Sequence, residues 1–252
     1  AEEFVSTDEM TILITGRNFM WQVRYALHMI TGRAEDRLLF EYQRELADLW
    51  GFKDEKKLAV EQFMQIYYRW ALALGQLNEV LILNFDQAIL REHQADDITA
   101  LDEYFQIRNG YIEARHENLF NQCPTALLTV FLECATHENI IGISAPTIRM
   151  IRDSRHLIDD AFRADPRNKK TFLNILAAPH KMTRQLRRMN RYGILGDYLP
   201  EFGRITGQMQ HDLFHTYTVD AHTLEVIKNS RRFQFPDLED KFPVSSRVAR
   251  RL

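Results

Sequence analysis

The sequence predicts an all-α fold, a helical bundle carrying one small β-hairpin, and three observations predict it. Apolar residues recur at helical spacing through most of the chain. Start and stop signals bracket those runs: Ser6-Thr-Asp-Glu9 has the form of a capping box, Thr31-Gly32 and Gly51 are stops, and Pro124, Pro146 and Pro166 stand at helix starts. Asn109-Gly110 lies between short β-branched and aromatic runs covering residues 104–114, which favours a type I′ hairpin.

Taken in order, the first helix follows Ser6 and carries Phe19, Val23, Ala26, Leu27 and Ile30, with Gly16 expected to interrupt it. A second runs from about Asp36 through Leu39, Tyr42 and Leu46 to Gly51. The third starts near Asp54 and keeps its period through Phe63, Trp70, Leu77 and Leu81 to about Arg91, with Gly75 a place for a bend. A helix that long needs neighbours along its length, so the first three are expected to form an antiparallel bundle with Trp21 and Trp70 in its core. Further helices follow the three prolines, and a short one spans residues 181–191. Residues 1–200 are assigned to a helical domain and 201–252 to the opening of a second domain.

Composition narrows the function classes. At 45% apolar and 27% charged the chain is an ordinary globular protein, and a net charge of −3 with pI near 6.3 offers no general attraction to nucleic acid or an anionic membrane. Apolar runs stop well short of the roughly 20 residues that span a bilayer. Cys123 and Cys134 form no disulfide framework, so reduced thiols and a cytoplasmic location are expected. Ala1 at one end and Arg250-Arg251-Leu252 at the other suggest a piece of a longer protein.

The densest chemistry lies in Gln210-His211-Asp212-Leu-Phe-His215-Thr-Tyr-Thr-Val-Asp220-Ala-His222, which holds three of the nine histidines. His211 and His215 stand one helical turn apart and could share a metal, a zinc-hydrolase arrangement. Asp212 then occupies the position where a zinc peptidase needs a longer glutamate, and histidines bonded to backbone or carboxylates are the commoner arrangement. His222, at the start of an apolar-periodic run, is a candidate metal ligand. Arg184, Arg187, Arg188 and Arg191 fall at i, i+3, i+4 and i+7, a stripe suited to phosphate, although a solvated face paired with acidic neighbours is the more frequent use of such a pattern.

Several stretches together resemble one family. Gly16-Arg-Asn-Phe-Met-Trp21, Thr31-Gly-Arg-Ala-Glu-Asp-Arg-Leu-Leu-Phe40, Val60-Glu-Gln-Phe-Met-Gln-Ile-Tyr-Tyr68, Arg108-Asn-Gly110, Leu157-Ile-Asp-Asp-Ala-Phe-Arg163 and Arg188-Met-Asn-Arg-Tyr-Gly193 through Thr223 resemble the bacterial PII uridylyltransferase/uridylyl-removing enzymes. The resemblance implies a nucleotidyltransferase domain, then a helical domain, an HD-type phosphohydrolase domain and two glutamine-sensing ACT domains. This chain would be the helical domain and the first helices of the HD domain.

Implied partners of the whole protein are the PII signal protein, UTP and glutamine, and the implied cofactor is a divalent metal, Mg²⁺ or Mn²⁺. Thr218-Val-Asp220-Ala-His222 resembles the site of the first HD ligand. The His-Asp doublet that should follow is missing from these residues, so the chain alone is expected to hold no metal tightly. The transferase carboxylates are missing as well. By the same resemblance His215, His211, Asp212, Arg184, Arg188 and Arg191 are candidates to line a pocket or face phosphate. A non-catalytic helical docking module is the alternative reading. Leu224, Val226, Ile227 and the phenylalanines at 233, 235 and 242 are expected to lack cover and to favour self-association through that end.

Overall fold

The computed structural model describes residues 5–54, 56–86, 97–179, 181–211, 217–249 and 251. Helices α1 (Thr7–Thr31), α2 (Phe40–Leu49) and α3 (Ala59–Phe85) come first, followed by strands β1 (Ile98–Ala100), β2 (Phe105–Arg108) and β3 (Tyr111–Ala114). Helices α4 (Leu119–Gln122) and α5 (Ala126–Thr136) lead to strand β4 (Gly142–Ile143) and helix α6 (Ala145–Asp153). Helices α7 (Asp160–Ala164), α8 (Pro166–Ala177), α9 (Met182–Arg191), α10 (Ile194–Tyr198), α11 (Pro200–Ile205), α12 (Val219–Arg232) and α13 (Pro243–Ala249) complete the described chain. None of the described helices is long and apolar enough to cross a membrane.

The expected bundle is present, with its ends set by side chains. Ser6 accepts from the Glu9 amide while the Glu9 carboxylate accepts from the Ser6 amide, closing the capping box. Helix α1 runs through Gly16 without a break. A Cβ there would lie 2.8 Å from Leu74 Cδ2, so the glycine serves the approach of α1 to α3. Helix α2 starts at Phe40 because Asp36 is engaged elsewhere: it accepts from Arg24 Nε at 2.7 Å and lies 3.2 Å from His28 Nε2, both on α1. Asp54 likewise stands before its helix and accepts from the Ala59 amide at 2.7 Å. The 27 residues of α3 span about 40 Å at 1.5 Å each.

The described residues form two apolar clusters. The smaller joins α1, α2 and α3 around Val23, Leu46, Phe63 and Met64, and Met209 adds to it from beyond α11. The larger is centred on α5, whose Leu127, Leu128, Val130, Phe131 and Cys134 are fully enclosed. Burial pushes the Cys134 thiol up to about 11, which keeps it protonated at neutral pH. Trp21, expected in the core, is 59% exposed with the Arg24 guanidinium 5.4 Å above its ring; Trp70 is half-buried and stacks on Phe19. The buried stripe of α1 runs through Val23, Ala26 and Leu27, and Trp21 lies off it.

The hairpin forms as its turn chemistry requires, with Asn109 and Gly110 at φ 52 and 83 and Arg108 opposite Tyr111. It is the middle of a four-stranded sheet ordered β1-β2-β3-β4, in which β1 pairs antiparallel and β4 parallel. The outer strands are three and two residues long, too short for a periodic signal.

Residues beyond 200 contribute to both clusters, Met209 to one and Leu224 to the other. Leu224 is buried and Ile227 packs against the large core, so for these two the cover expected to be missing is supplied. Val226, Phe235 and Val244 are exposed. Phe233 and Phe242 meet edge to face at 5.4 Å.

Glu9 ties α1 to α6. Its carboxylate is inaccessible to solvent and accepts from Arg149 Nε at 2.8 Å and Arg152 Nη1 at 3.1 Å. Burial pushes its pKa up, but the bonds from Arg149, the Ser6 amide and Arg152 outweigh it, and the carboxyl sits below its ordinary value of 4.5. Its stabilisation is therefore complete above that value and lost as pH falls through the depressed pKa. Glu9→Gln is expected to cost on the order of 2–3 kcal/mol at pH 7, less than a fully buried pair because both arginines keep some solvent, and clearly less at pH 3. Urea melts at the two pH values measure this; an equal cost at both contradicts it.

Candidate functional site: a basic cleft between two helices

Helix α9 places its arginines by burying the opposite face. Gln185, Leu186, Met189 and Asn190 point inward, Gln185 Nε2 donating to the Cys134 carbonyl at 3.2 Å. Lys181, just before the helix, donates to the carbonyls of His137, Glu138 and Ile140 at 2.7–3.2 Å and so fixes its start against the end of α5. Arg184, Arg187, Arg188 and Arg191 are left on one outward wall of a cleft of about 610 Å³.

The opposite wall comes from α12 and the turn after it, through Lys228, Arg231, Arg232 and Phe235. Its position is set by a buried polar junction. Asp220, in the first turn of α12, accepts from Asn190 Nδ2 of α9 at 2.9 Å and from the Gly207 amide at 3.0 Å. At the far end of α12, Arg231 donates to the carbonyls of Leu176, Ala178 and Pro179, where α8 leaves its terminal acceptors. The two fixed ends hold α12 alongside α9.

Charges in the cleft are unevenly paired. Arg187 meets Glu225, which also pairs with Lys228 at 3.2 Å, and Arg191 meets Glu79 at 2.5 Å. Tyr192 donates to the same Glu79; burial, then the Glu79 charge, push its phenol above the ordinary range. Arg188 contacts neutral oxygens, those of Gln185 and the Ile141 carbonyl, each at 3.3 Å. Arg232 lies beside Asn229 Oδ1 and 5.4 Å from the Phe242 ring centroid. Arg184 is exposed and has no hydrogen-bond or ion-pair partner among the described residues.

The arginine stripe is thus one wall of a concavity, with two of its members salt-bridged as a solvated face would be. His211 is elsewhere: it is 9% exposed, its ring edge-on to Phe40 with centroids 3.6 Å apart, and its amide donates to Glu61. The cleft walls do not include it. His222 is exposed on the first turn of α12. Asp212 and His215 lie outside the described residues. Among the described residues no group of three or more His, Cys, Asp or Glu side chains is placed to hold a metal ion.

Lys228, Arg231 and Arg232 were not singled out in the sequence. Their i, i+3, i+4 spacing repeats that of α9, and this signal was available. What fixes them opposite α9 is the Asn190–Asp220 contact, 30 positions apart, which spacing cannot show.

Fold and site together define a mostly helical module with an arginine-rich cleft. The family described as "Uridylyltransferase GlnD third domain" matches residues 105–198, and that described as "GlnD PII-uridylyltransferase" matches residues 1–82. Proteins named bifunctional uridylyltransferase/uridylyl-removing enzyme are 52% identical over 252 residues in Pseudomonas aeruginosa, 51% over 250 in Azotobacter vinelandii and 50% over 252 in Pseudomonas putida. These alignments cover 99–100% of this chain and 28% of each relative. No solved structure matches the chain. The chain belongs to the bifunctional uridylyltransferase/uridylyl-removing enzyme family and spans about 28% of the length of the curated relatives it matches.

Removing the Asp220 carboxylate leaves two inward-facing donors without an acceptor. Asp220→Ala is expected to cost on the order of 3 kcal/mol, read as a shift in the denaturation midpoint with unchanged slope. A loss below about 1 kcal/mol, the size of one ordinary hydrogen bond, contradicts the junction's role.

Proposed function

We propose that this chain is the central helical domain and the opening of the HD-type hydrolase domain of an enzyme that transfers UMP from UTP to the PII signal protein and removes it again by hydrolysis, under the control of glutamine. The observation that carries this reading is identity of 50–52% along the whole chain to proteins named for both activities. The order of the two family matches supports it further.

Within such an enzyme these residues are a structural and interaction region without activity of their own. The helical core supports α12, and α12 presents His222 outward on its first turn. In the whole protein His222 is the first metal ligand of the hydrolase, and Mg²⁺ or Mn²⁺ held there supplies an activated water. Its other ligands come from outside these residues. Asp220 positions the helix that bears His222 by way of Asn190 and the Gly207 amide. His215 and Asp212 follow the buried His211 in the segment leading to that helix, and we assign them to its pocket. The location we propose is cytoplasmic.

The test is made in the whole protein. His222→Ala is expected to lower removal of UMP from uridylylated PII by more than about 100-fold, since losing a ligand exceeds the 10–100-fold cost of losing a ligand's outer partner. Transfer of UMP to PII should persist. Undiminished removal, or equal loss of both activities in a folded variant, contradicts the assignment.

A further inference from the structure

We propose that the cleft between α9 and α12 binds a diphosphate group, either bare or carried by a nucleoside, a reading independent of the metal-dependent hydrolysis assigned above. Among the described residues, seven cationic side chains and one carboxylate, Glu79, line its roughly 610 Å³. Four of the seven, Arg184, Arg188, Arg231 and Arg232, have no carboxylate partner among the described residues. Like charges gathered in a concavity repel one another and focus a positive potential into it, and a bound polyanion relieves both effects.

The stereochemistry selects phosphate. A guanidinium presents paired N–H donors that match phosphoryl oxygens, and here guanidinium groups stand on both walls, so two linked phosphoryl groups can be held from opposite sides. An acidic face of a folded protein meets only the rim of such a cleft. The Arg188 bonds to Gln185 and Ile141 are long, at 3.3 Å, and made to neutral acceptors, which a phosphate oxygen can replace. A second trough of about 920 Å³ adjoins the cleft, sharing Glu79, Ile141, Arg188 and Arg191, and adds Tyr111 and Leu72 to its lining. Aromatic and aliphatic surface beside a phosphate site is where a base can lie.

Calorimetric titration of the 252-residue chain with inorganic pyrophosphate, and separately with UDP, at physiological ionic strength tests this. One site per chain with Kd below about 1 mM is expected for at least one of the two. Arg184→Ala and Arg188→Ala should each weaken it about tenfold, the loss of one charge-assisted contact. Arg184 is exposed and has no partner among the described residues, so its variant should fold normally, with circular dichroism as the check, and Arg167→Ala, which lies outside the cleft lining, should change nothing. UDP binding more than about tenfold tighter than pyrophosphate assigns the trough to a nucleoside, and equal affinities assign the cleft to diphosphate alone. Absence of binding by both below about 1 mM, or binding indifferent to both cleft variants, overturns the proposal. Polyglutamate bound where pyrophosphate is not also overturns it, in favour of an acidic polypeptide.

Discussion

Helix α9 has to face two ways, and the arrangement of the site depends on that constraint. Its inward residues Gln185, Leu186, Met189 and Asn190 lock onto the α5 core and onto α12, and the helical period then leaves Arg184, Arg187, Arg188 and Arg191 on the other side. Burial of one face thus fixes the direction of the charge on the other. Asn190 makes the same constraint productive, because its amide meets Asp220 and brings a second basic helix within reach. A cleft walled by cations follows from two antiparallel helices held side by side, by the buried Asn190–Asp220 hydrogen bond at one end and by Arg231 at the far end of α12.

Features that declare themselves locally were legible in the sequence. The Ser6 capping box, the Asn109-Gly110 turn and the spacing of the α9 arginines each depend on residues within seven positions of one another, and the structure contains all three. Features set by distant partners were not. The delayed start of α2 depends on Asp36 turning back to Arg24 and His28, and the continuity of α1 through Gly16 depends on Leu74 of α3. Strand β4 exists because the chain returns to lie along β3, and its two residues carry no periodic pattern. Trp21 shows the limit of composition, since a large aromatic one step off the buried stripe lies in solvent against an arginine.

The site divides in the same way. The arginine stripe could be read from one helix, but its meaning as a cleft wall needed α12, and no periodic signal predicts which two surface helices will face each other. The histidines drew attention by their density, yet His211 spends its ring on Phe40 and His222 stands on an outward turn. The helical core fixes α12 at both ends, through Asp220 and Arg231. The core is shared extensively enough that residues beyond 200 bury Met209 and Leu224 within it.

The central claim is that α12 belongs to the same cooperative unit as α9, held through Asp220 and Arg231 and not merely resting on the surface. Native-state hydrogen exchange followed on peptides covering residues 182–191 and 219–232 measures this directly. The account predicts that both peptides open with the same free energy and the same denaturant dependence, as parts of one unit. Exchange of 219–232 at a free energy well below that of 182–191, through a separate local opening, would contradict it.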